Sequence, residues 1–498
     1  MKKLLILFAA VLSLATACQQ KEEDVEVTGI LINTSKLILE VGESDVLTAI
    51  ILPSNATVKP EILWSSKDAS IASVTDGKVT ALKQGNTRII AKTSDGKFSV
   101  SCDVTVFLSL NSLTLSPSEV SMYVGDTEKL TVTLDPEDAS VQDVEWSSSN
   151  PDIAKVSAGK VTAVAVGEAT ITAESIDGEH SATCLVKVIG EKYSNPVCAT
   201  SLPDPSCIKV GDTFYLYATE DTRNVPIMTS KDLVKWTQQG TVFTESSRPN
   251  FISGGGVWAP DINIVGGKYV LYFSMGNPSV DYNYGIGAAY ANSPLGPWTL
   301  AGGNGQLMTD ATTVSYGYGN CIDPEYFEYG GKKYLYYGSF HSINYVELSS
   351  DGLSLASGAK PTAVAGSKYE GSYLHKHGDY WYLFASRGTW GVGSTNTYTV
   401  AVGRSTSPFG PFVNKRGESM LDNKDEVVIE SGNNFVATGH NGEIFTDSEG
   451  TDWMIYHAQR KGQTNSTRSL MLSRIEWVDG WPTAPDSPDE SNVVAPKF

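Results

Sequence analysis

The sequence has little positive charge: its 498 residues include 37 Lys and Arg against 56 Asp and Glu, and the net charge at pH 7 is −19. Because a protein that binds nucleic acid needs a basic face to neutralise phosphates, this balance argues against nucleic acid as a partner. Apolar runs long enough to cross a membrane are missing after Cys18. No stretch shows sustained helical periodicity with caps, which leaves short strands as the expected element.

Cysteine is also scarce, with six residues in the chain. Cys102 and Cys184 stand at equivalent places of a sequence repeat described below, so we expect both to be separate, buried strand residues. Cys198, Cys207 and Cys321 lack the spacing of metal ligands, and no disulfide is implied.

Glycine, proline and aromatic residues are abundant, with 46 Gly, 22 Pro, 23 Tyr, 15 Phe and 10 Trp. The chain is 41% hydrophobic and 19% charged, which is typical of a globular protein. Many short strands joined by turns have this composition, so the predicted fold class is all-β. The length allows two to four domains.

The N-terminal residues have the pattern of a secretion signal over residues 1–17: Lys2 and Lys3 precede an apolar run that ends in Ala-Thr-Ala. The next residue, Cys18, makes the segment resemble the lipobox of bacterial lipoproteins, in which this cysteine carries the lipid. Residues 18–23 would then be a lipidated, acidic tether. The resemblance implies an exported lipoprotein that the lipid alone anchors to the outer membrane, exposed at the cell surface; ordinary cleavage with an incidental cysteine is the alternative.

Two sequence repeats follow, over residues 24–106 and 107–189. Trp64 pairs with Trp146 and Cys102 with Cys184, and the offset is the same for both pairs. Alternating apolar residues with turn signals every eight to twelve residues predict a small β-sandwich for each repeat. The elements WSSS, GKVTA and GxATIT resemble bacterial immunoglobulin-like group 2 domains. We interpret the repeats as a stalk, with ligand binding as the alternative.

The rest of the chain, residues 190–498, repeats one pattern five times. A polar or acidic head begins a short strand, then come a Gly-containing turn and a strand rich in aromatic residues. The heads follow one another at broadly regular intervals and are Asp204, Asp261, Asp323, Glu370 and His440. A β unit repeated in this way predicts a propeller, here with five blades, which the segment SRIEWVDGWPTAP is expected to complete.

The first strands of propeller blades start at one end of a central channel, so the heads are expected to converge on one pocket. A single aspartate before proline would be read as a turn cap, but five polar heads at corresponding places favour an active site. Glycoside hydrolysis uses a carboxylic acid to protonate the leaving oxygen and a carboxylate to activate water. A third carboxylate nearby raises the pKa of the acid.

The motifs LPDPS, GGGVWAPDI, NCIDPEYF and YEGSYL make residues 195–485 resemble glycoside hydrolase family 43, and within it the endo-arabinanase branch. The resemblance implies an inverting hydrolase of α-1,5-L-arabinan, with Asp204 as general base, Glu370 as general acid and Asp323 as the group that tunes the pKa. It also implies a structural or substrate-orienting position for Asp261.

His440 in ATGHN resembles the arabinanase histidine that helps to hold a cation, usually calcium, on the propeller axis. Because calcium prefers oxygen ligands, most of its coordination would come from water; a hydrogen-bonded channel histidine is the alternative. No organic cofactor is expected. The histidines outside this motif are interpreted as surface or packed residues: His180, His341, His375, His377 and His457. His341 is an exception in that it follows Gly-Ser-Phe at a strand end expected to face the channel.

Further residues are expected to contact the substrate. Trp258 could stack on a sugar or pack between blades. Asn320, Ser339 and Phe340 resemble substrate-contacting positions of arabinanases, and Arg404 could contact sugar hydroxyls or form a structural salt bridge. The full set of expected substrate contacts is Trp258, Asp261, Asn320, Ser339, Phe340 and Arg404.

Other functions stay open at this point. The first motif has no histidine before Asp-Pro, and RGTWGVGS lacks the paired cysteines often found there, which leaves endo or exo action undecided. The same family contains exo-acting α-L-arabinofuranosidases and β-xylosidases. A surface glycan-binding lipoprotein without catalysis is the alternative from another class. We expect a monomer whose partner is an arabinan-like polysaccharide or oligosaccharide.

Overall fold

The computed structural model describes residues 24–219, 224–277, 279, 283–313, 320–389 and 396–498. The predicted signal peptide, Cys18 and the tether lie outside these residues. Nearly all of the regular secondary structure in the described residues is β-strand, which confirms the predicted class, and no helix in them has the length and apolar character needed to cross a bilayer. Contacts divide the chain into one unit that ends at Ile189 and a second over Gly190–Phe498.

The first unit begins with a repeat whose four-stranded sheet has the order β2-β9-β8-β5, beside β3-β7-β6 and the pair β1-β4. Its strands are β1 (Gly29–Ile32), β2 (Lys36–Glu40), β3 (Ser44–Val46), β4 (Ala49–Leu52), β5 (Ile62–Ser66), β6 (Ala72–Thr75), β7 (Lys78–Ala81), β8 (Gly85–Thr93) and β9 (Ser99–Phe107).

The second repeat has the same topology, with the sheets β11-β18-β17-β14 and β12-β16-β15 and the pair β10-β13. Its strands are β10 (Ser112–Ser116), β11 (Glu119–Met122), β12 (Thr127–Lys129), β13 (Thr131–Asp135), β14 (Val144–Ser148), β15 (Ala154–Ser157), β16 (Lys160–Ala163), β17 (Gly167–Ser175) and β18 (Ser181–Val188).

The repeated glycine has a structural reason in both copies. Gly77 has φ +84°, and a Cβ there would lie 2.4 Å from the carbonyl oxygen of Leu47 and 3.3 Å from the Trp64 ring. Gly159 has φ +77°, with a Cβ position 3.0 Å from the Trp146 ring. Only glycine combines the left-handed conformation with such a close approach. Cys102 and Cys184 are fully buried free thiols, as predicted.

The second unit opens with β19 (Lys192–Tyr193) and β20 (Cys198–Ser201) and continues with antiparallel sheets numbered here in chain order. Sheet 1 contains β21 (Ser206–Val210), β22 (Thr213–Tyr217), β23 (Pro226–Ser230) and β24 (Thr237–Thr241). Sheet 2 contains β25 (Gly256–Val265), β26 (Lys268–Gly276), β27 (Tyr284–Ala291), β28 (Thr299–Leu300) and β29 (Gln306–Thr309).

The next two sheets each have four strands in sequential order. Sheet 3 contains β30 (Glu325–Tyr329), β31 (Lys332–Tyr337), β32 (Ile343–Glu347) and β33 (Thr362–Ala365). Sheet 4 contains β34 (Tyr369–His377), β35 (Tyr380–Arg387), β36 (Thr399–Ser405) and β37 (Glu426–Ile429). The helical segments described in this unit are the short helix α1 (Asp310–Thr313) and the 3-10 turns Ala301–Gly303 and Met420–Asp422.

Sheet 5 joins the two ends of the second unit. It contains β38 (Phe435–Gly439), β39 (Ile444–Thr446), β40 (Asp452–Arg460), β41 (Ser469–Val478) and β42 (Trp481–Thr483), and β43 (Val493–Val494) pairs with β19. The N-terminal strand β20 pairs with β41 and so completes this sheet. The segment SRIEWVDGWPTAP supplies part of β41 and all of β42, as expected for the last sheet, and the start of the unit adds β20 as the outer neighbour of β41.

Side chains on the first strands link the five sheets in a closed cycle, which we call the inter-sheet ring. The members occupy corresponding positions in the five sheets. The side chain of each member accepts a hydrogen bond from a backbone N–H in the next sheet, and that N–H belongs to the residue directly after the next member. The bonds run from Ile262 to Ser206 (3.1 Å), Tyr326 to Asp261 (2.7 Å), Leu374 to Glu325, Ile444 to Tyr373 (3.1 Å) and Cys207 to Glu443 (2.5 Å). Because the last bond returns to sheet 1, the first strands surround one axis.

Tyrosines on the second strands explain why those strands are so aromatic. Four of them donate a hydrogen bond to a backbone carbonyl on the outer part of the next sheet, so each bridges two sheets while its ring stays buried. The pairs are Tyr217 with Pro294, Tyr272 with Gly352, Tyr336 with Pro408 and Tyr382 with Gly480.

Hydrophobic cores fill the space between neighbouring sheets and follow the same cycle. Phe273 of sheet 2 packs with residues of sheet 1, Phe384 of sheet 4 with residues of sheet 5, and Phe214 of sheet 1 with residues of sheet 5. Each of these rings is fully buried, and each such burial contributes about 1.5–3 kcal/mol to stability. These cores hold the start of each first strand in place.

Candidate active site

Left-handed backbone turns mark the start of the first strands. Asp204, Asp323 and His440 have φ values of 52°, 57° and 44°, and Ala259 and Gly371 have 37° and 56°. Such values are uncommon for residues other than glycine and persist where the surrounding structure enforces them. β25 and β34 also carry register shifts at these turns. The turns direct three polar heads toward the axis.

Three nitrogen-containing side chains surround Asp204. Its Oδ1 lies 2.9 Å from Nη1 of Arg468, 3.2 Å from Nδ1 of His440 and 3.5 Å from Nδ1 of His457. Burial alone would raise the pKa of Asp204, but the positive charges of Arg468 and His440 outweigh it and hold that pKa well below its ordinary value. Asp204 is therefore ionised at neutral pH, with its described side-chain contacts all on Oδ1.

Glu370 lies in the same buried cluster with the opposite electrostatics. The hydroxyl of Tyr398 donates to Oε1 at 2.6 Å, and the hydroxyl of Ser339 donates to Oε2 at 2.8 Å. Burial raises the pKa of Glu370 in spite of these two hydrogen bonds and of the nearby His440. The negative charge of Asp204 acts in the same direction as burial. Glu370 is thus favoured in its protonated form.

Asp323 interacts electrostatically with both of these carboxyl groups. Its Oδ2 accepts a hydrogen bond from Gly371 N–H at 3.0 Å, and its own N–H donates to Ser274 Oγ at 2.8 Å. Burial raises the pKa of Asp323 to about 7; His440 opposes this shift, whereas Glu370 and Asp204 add to it. Asp323 therefore gains or loses its proton near neutral pH according to the charge of its neighbours.

His440 links the three acids electrostatically. Burial alone would lower the pKa of His440, but Asp204 and then Asp323 and Glu370 raise it to about 9, so the imidazole is protonated at neutral pH. Its backbone N–H donates to Ser386 Oγ at 2.6 Å. Gly371 packs directly on the ring, since a Cβ there would lie 2.9 Å from Cγ. Four of the five predicted heads thus meet in one buried cluster.

Asp261 is the exception: it does not converge with the other heads, and its contacts agree with the structural one of the two positions that the resemblance implied. The turn that corresponds to Asp204 and Asp323 in sheet 2 is at Ala259, two residues earlier. Asp261 belongs to the inter-sheet ring, where its carboxyl accepts hydrogen bonds from Tyr326 N–H and, at 2.8 Å, from Asn263 Nδ2. Its side chain is thus committed to contacts between sheets rather than to the acid cluster.

Trp258 is half-buried on the register-shifted part of β25. Its ring centroid lies 6.3 Å from that of Tyr284. A Cβ on Gly256 would lie 2.3 Å from its Nε1, and a Cβ on Gly276 would lie 2.4 Å from its Cζ3. The two glycines therefore make room for the indole, which retains partial exposure next to the strand that carries Ser274.

Asn320, Ser339 and Phe340 lie together beside Glu370. Asn320 Nδ2 donates to the Ser339 carbonyl at 2.9 Å, and Ser339 Oγ bonds Glu370. Phe340 has φ +52° and keeps 38% of its surface exposed. Among these predicted contacts, Ser339 positions the acid, and Phe340 offers an apolar ring to solvent at the site.

Arg404 does not join this cluster, which corrects the expected substrate contact. It lies on β36 opposite Tyr382, and Tyr382 pairs in turn with His375. His375 stands five positions beyond Glu370 on β34, which is roughly 16 Å along a strand. The guanidinium of Arg404 stacks on the rings of Tyr380 and Trp481 and donates to the Gly480 carbonyl, so its role is in packing.

Three residues of the cluster were not predicted as functional: Arg468, His457 and Tyr398. Arg468 has no recognisable signal, because it precedes β41 in a polar loop. His457 lies within an apolar strand and was interpreted as packed; it is fully buried, and its Nδ1 accepts the Asp204 backbone N–H at 3.1 Å. Burial lowers the pKa of His457 well below its ordinary value, so it is neutral.

Acidic groups with opposed protonation at one end of an axis surrounded by five sheets are typical of a glycoside hydrolase. The model of the family described as Glycosyl hydrolases family 43 matches residues 193–482. The chain belongs to this family and is a glycoside hydrolase with the fold of a β-propeller family. The model described as Bacterial Ig-like domain (group 2) matches residues 26–104 and 109–186 of the first unit.

Relatives with curated names resemble the second unit. A probable arabinan endo-1,5-alpha-L-arabinosidase A of Aspergillus flavus is 32% identical over 311 residues, which are 58% of this chain and 94% of that protein. The extracellular endo-alpha-(1->5)-L-arabinanase 1 of Bacillus subtilis is 30% identical over 57% of this chain and 87% of that protein. The structure of Cellvibrio cellulosa alpha-L-arabinanase complexed with arabinohexaose is similar with a TM-score of 0.53 and 25% identity, over 59% of this chain and 99% of that chain.

Proposed function

We propose that the second unit cleaves α-1,5-L-arabinan within the chain, with inversion at the anomeric carbon. The observation that carries this proposal is the opposed pKa shift of two carboxyl groups in one buried cluster: positive neighbours hold the pKa of Asp204 well below its ordinary value, and burial raises the pKa of Glu370. An inverting hydrolase needs this pair, one group to activate water and the other to protonate the leaving oxygen. Relatives named as arabinan endo-1,5-alpha-L-arabinosidases support the substrate.

In the proposed reaction Asp204 is the general base. Arg468 and His440 hold its Oδ1, so Oδ2 is the atom that accepts the proton of the attacking water. Water attacks the anomeric carbon as the glycosidic bond breaks, and Glu370 gives its proton to the departing oxygen. Tyr398 and Ser339 then stabilise the new carboxylate of Glu370 through hydrogen bonds that they already donate.

Asp323 keeps the acid protonated until the reaction begins. When Asp323 is ionised, its charge disfavours a second charge on Glu370, and His440 compensates both groups. Exposed Phe340 and half-buried Trp258 supply apolar faces on which sugar rings can stack.

We also propose a cation, calcium, beside His440. Two features fit it: surrounding carboxylates make the position of His440 strongly favourable for positive charge, and the neighbouring Asn441 has a buried Oδ1 without a hydrogen-bond partner among the described residues. Oxygen of this kind is the ligand that calcium prefers. His440 and Asn441 would hold the ion, which would supply positive charge in place of the imidazole proton.

The same proposal extends to architecture and location. We propose that sheets 1 to 5 are the blades of a five-bladed propeller, supported by the closed cycle of the inter-sheet ring. We further propose a monomeric lipoprotein, lipidated at Cys18 and displayed at the cell surface on a stalk of two Ig-like domains. Labelling with a fatty acid should be lost in Cys18→Ala.

Glu370→Gln and Asp204→Asn test the chemistry because both substitutions keep the side-chain shape. Each is expected to abolish hydrolysis of linear arabinan while the native fold is kept. Thermal unfolding of Glu370→Gln should stay close to wild type, whereas Asp204→Asn removes the charge that faces buried Arg468 and should unfold at a lower temperature. Full activity in either variant would refute the assignment. A purely glycan-binding protein would instead show no hydrolysis in the wild type but measurable arabinan affinity.

Product analysis separates the modes of action. Linear arabinan, debranched arabinan, xylan and aryl glycosides are offered in parallel. A ladder of arabino-oligosaccharides is expected from endo action, and inversion is read from the anomeric configuration by NMR. Monosaccharide as the sole product would instead identify an exo-acting α-L-arabinofuranosidase or β-xylosidase.

A further inference from the structure

Two histidines and one aspartate meet at the end of the second unit opposite the acid cluster. His375 and His377 are alternate residues of β34, so both imidazoles lie on the same face of sheet 4. Asp452 is the first residue of β40 in sheet 5. One possible ligand atom from each residue lies within 4.8 Å of the other two. Lys376 lies between the two histidines in the sequence, but its ammonium group extends over the ring of Trp381. The positive charge of Lys376 is therefore directed away from the two imidazoles.

The separations are close to those of a metal site. His377 Nδ1 lies 3.8 Å from Asp452 Oδ2. A tetrahedral zinc ion with bonds of about 2.0–2.1 Å holds its ligand atoms roughly 3.3 Å apart. The His377 side chain is 39% exposed, so it has room to rotate by the ångström or so that this contraction requires. Its exposure also provides a path for an ion and for a water ligand.

The surroundings orient the three side chains. Thr446 Oγ1 donates to Asp452 Oδ1 at 2.5 Å, and Trp477 Nε1 donates to Asp452 Oδ2 at 2.7 Å. The indole of Trp477 stacks on His377 with centroids 3.7 Å apart and planes at 9°, and its centroid lies 5.9 Å from that of His375. Hydrogen bonds to a ligating carboxylate are typical of the support around metal ligands.

This cluster is separate from the acid cluster. His377 stands seven positions beyond Glu370 on β34, which corresponds to roughly 23 Å along a strand. The ligands come from two neighbouring sheets, so an ion bound there would tie sheet 4 to sheet 5 without touching the reaction.

We propose that His375, His377 and Asp452 bind one divalent transition-metal ion, with zinc as the best match and water completing the coordination. Two imidazoles and a carboxylate suit zinc, whereas calcium requires a set of oxygen ligands. The ion is structural: it cross-links two sheets that otherwise meet through hydrophobic packing and single hydrogen bonds.

Zinc binding to the full chain without an affinity tag tests the proposal. After EDTA treatment and dialysis, titration with ZnCl₂ should give one tightly bound ion per chain and a rise in Tm. His375→Ala, His377→Ala and Asp452→Asn should each weaken binding at least tenfold and remove the rise in Tm. Trp477→Phe, which keeps a ring but loses the N–H donor, should weaken binding by about 10–100-fold. Co²⁺ should give the intense visible bands of a tetrahedral site, lost in the same variants.

Two controls make the result specific. His341→Ala removes an exposed histidine elsewhere in the unit and should leave zinc binding unchanged. His440→Ala removes the histidine of the acid cluster and should also retain the ion. The proposal is overturned if no stoichiometric zinc binds, if the His375 and His377 variants bind like the wild type, or if binding disappears in His440→Ala alone. His377 is half-exposed, so its variant remains informative if His375→Ala fails to fold.

Discussion

Replacing Arg468 by methionine would test the electrostatics of the proposed base directly. Arg468 Nη1 lies 2.9 Å from Asp204 Oδ1, and both side chains are only 10% exposed. With charge centres about 4 Å apart, their attraction is about 4 kcal/mol at an effective dielectric constant of 20. Breaking a buried pair on one side costs about 3–5 kcal/mol, and we expect the free energy of unfolding at pH 7 to fall by this amount.

The same substitution should change the pH dependence of hydrolysis. Without Arg468, burial of Asp204 is opposed mainly by His440, so the pKa of Asp204 rises. Because the base works only when ionised, the acidic limb of kcat/KM against pH should move to higher pH. The limb is measured on arabino-oligosaccharides with the wild type and the variant, together with urea unfolding at pH 7.

Arg404→Met is the matched control. Arg404 belongs to the same unit, but its guanidinium stacks on Tyr380 and Trp481 rather than pairing with an acid of the cluster. It should lose some stability through packing and keep the acidic limb in place. An Arg468→Met enzyme that is destabilised but has an unmoved acidic limb would show that Asp204 is not the ionised base of the reaction.

Three further perturbations have defined outcomes. Tyr398→Phe removes a hydrogen bond that favours ionised Glu370, so the basic limb of kcat/KM should move to higher pH; a downward shift would contradict the acid role. Burial raises the pKa of Glu443 to about 8, against 4.5 for an exposed glutamate, so the free energy of unfolding should fall by about 5 kcal/mol as the pH rises from about 4.5 to 8. Urea unfolding of Glu443→Gln at several pH values should lack this fall. Gly256→Ala displaces Trp258, and we expect KM for arabinan to rise with little change in kcat, as steady-state kinetics would show.

The repeating pattern of the sequence predicted most of the fold. Heads at broadly regular intervals, each followed by a short strand and an aromatic strand, correspond to the first two strands of each sheet. Asp261 departs from the other heads because the left-handed turn, and not the acidic residue, marks the equivalent position of each sheet. Aligning DPS, APD and DPE on their prolines puts Ala259 with Asp204 and Asp323, and Asp261 with Glu325. That alignment was available in the sequence.

Arg468, His457 and Tyr398 could not be predicted in the same way. They lie outside the first strands and reach the cluster because β40, β41 and β36 bring them beside the heads of the same or a neighbouring sheet. Such contacts join residues that are far apart along the chain, as for Arg468 and Asp204. A repeat identifies positions that correspond between units. It does not identify a polar residue such as Arg468, which occurs in one unit and pairs with one head.

The two layers of acids along the axis differ in charge for a physical reason. Asp204 has cationic partners and stays ionised. Two or three residues after each left-handed turn, the acids of the inter-sheet ring accept hydrogen bonds from backbone N–H groups and neutral side chains, with no cation paired to them among the described residues. Burial raises the pKa of Asp261 to about 7 and of Glu443 to about 8, and that of Glu325 well above its ordinary value. Burial thus favours the neutral form of all three groups, so at pH 7 they carry less negative charge than exposed carboxyl groups would, while they keep their hydrogen bonds. Were all three ionised, their repulsion would oppose ionisation of Asp204 as well as Glu370, and the opposed protonation that catalysis requires would be weakened.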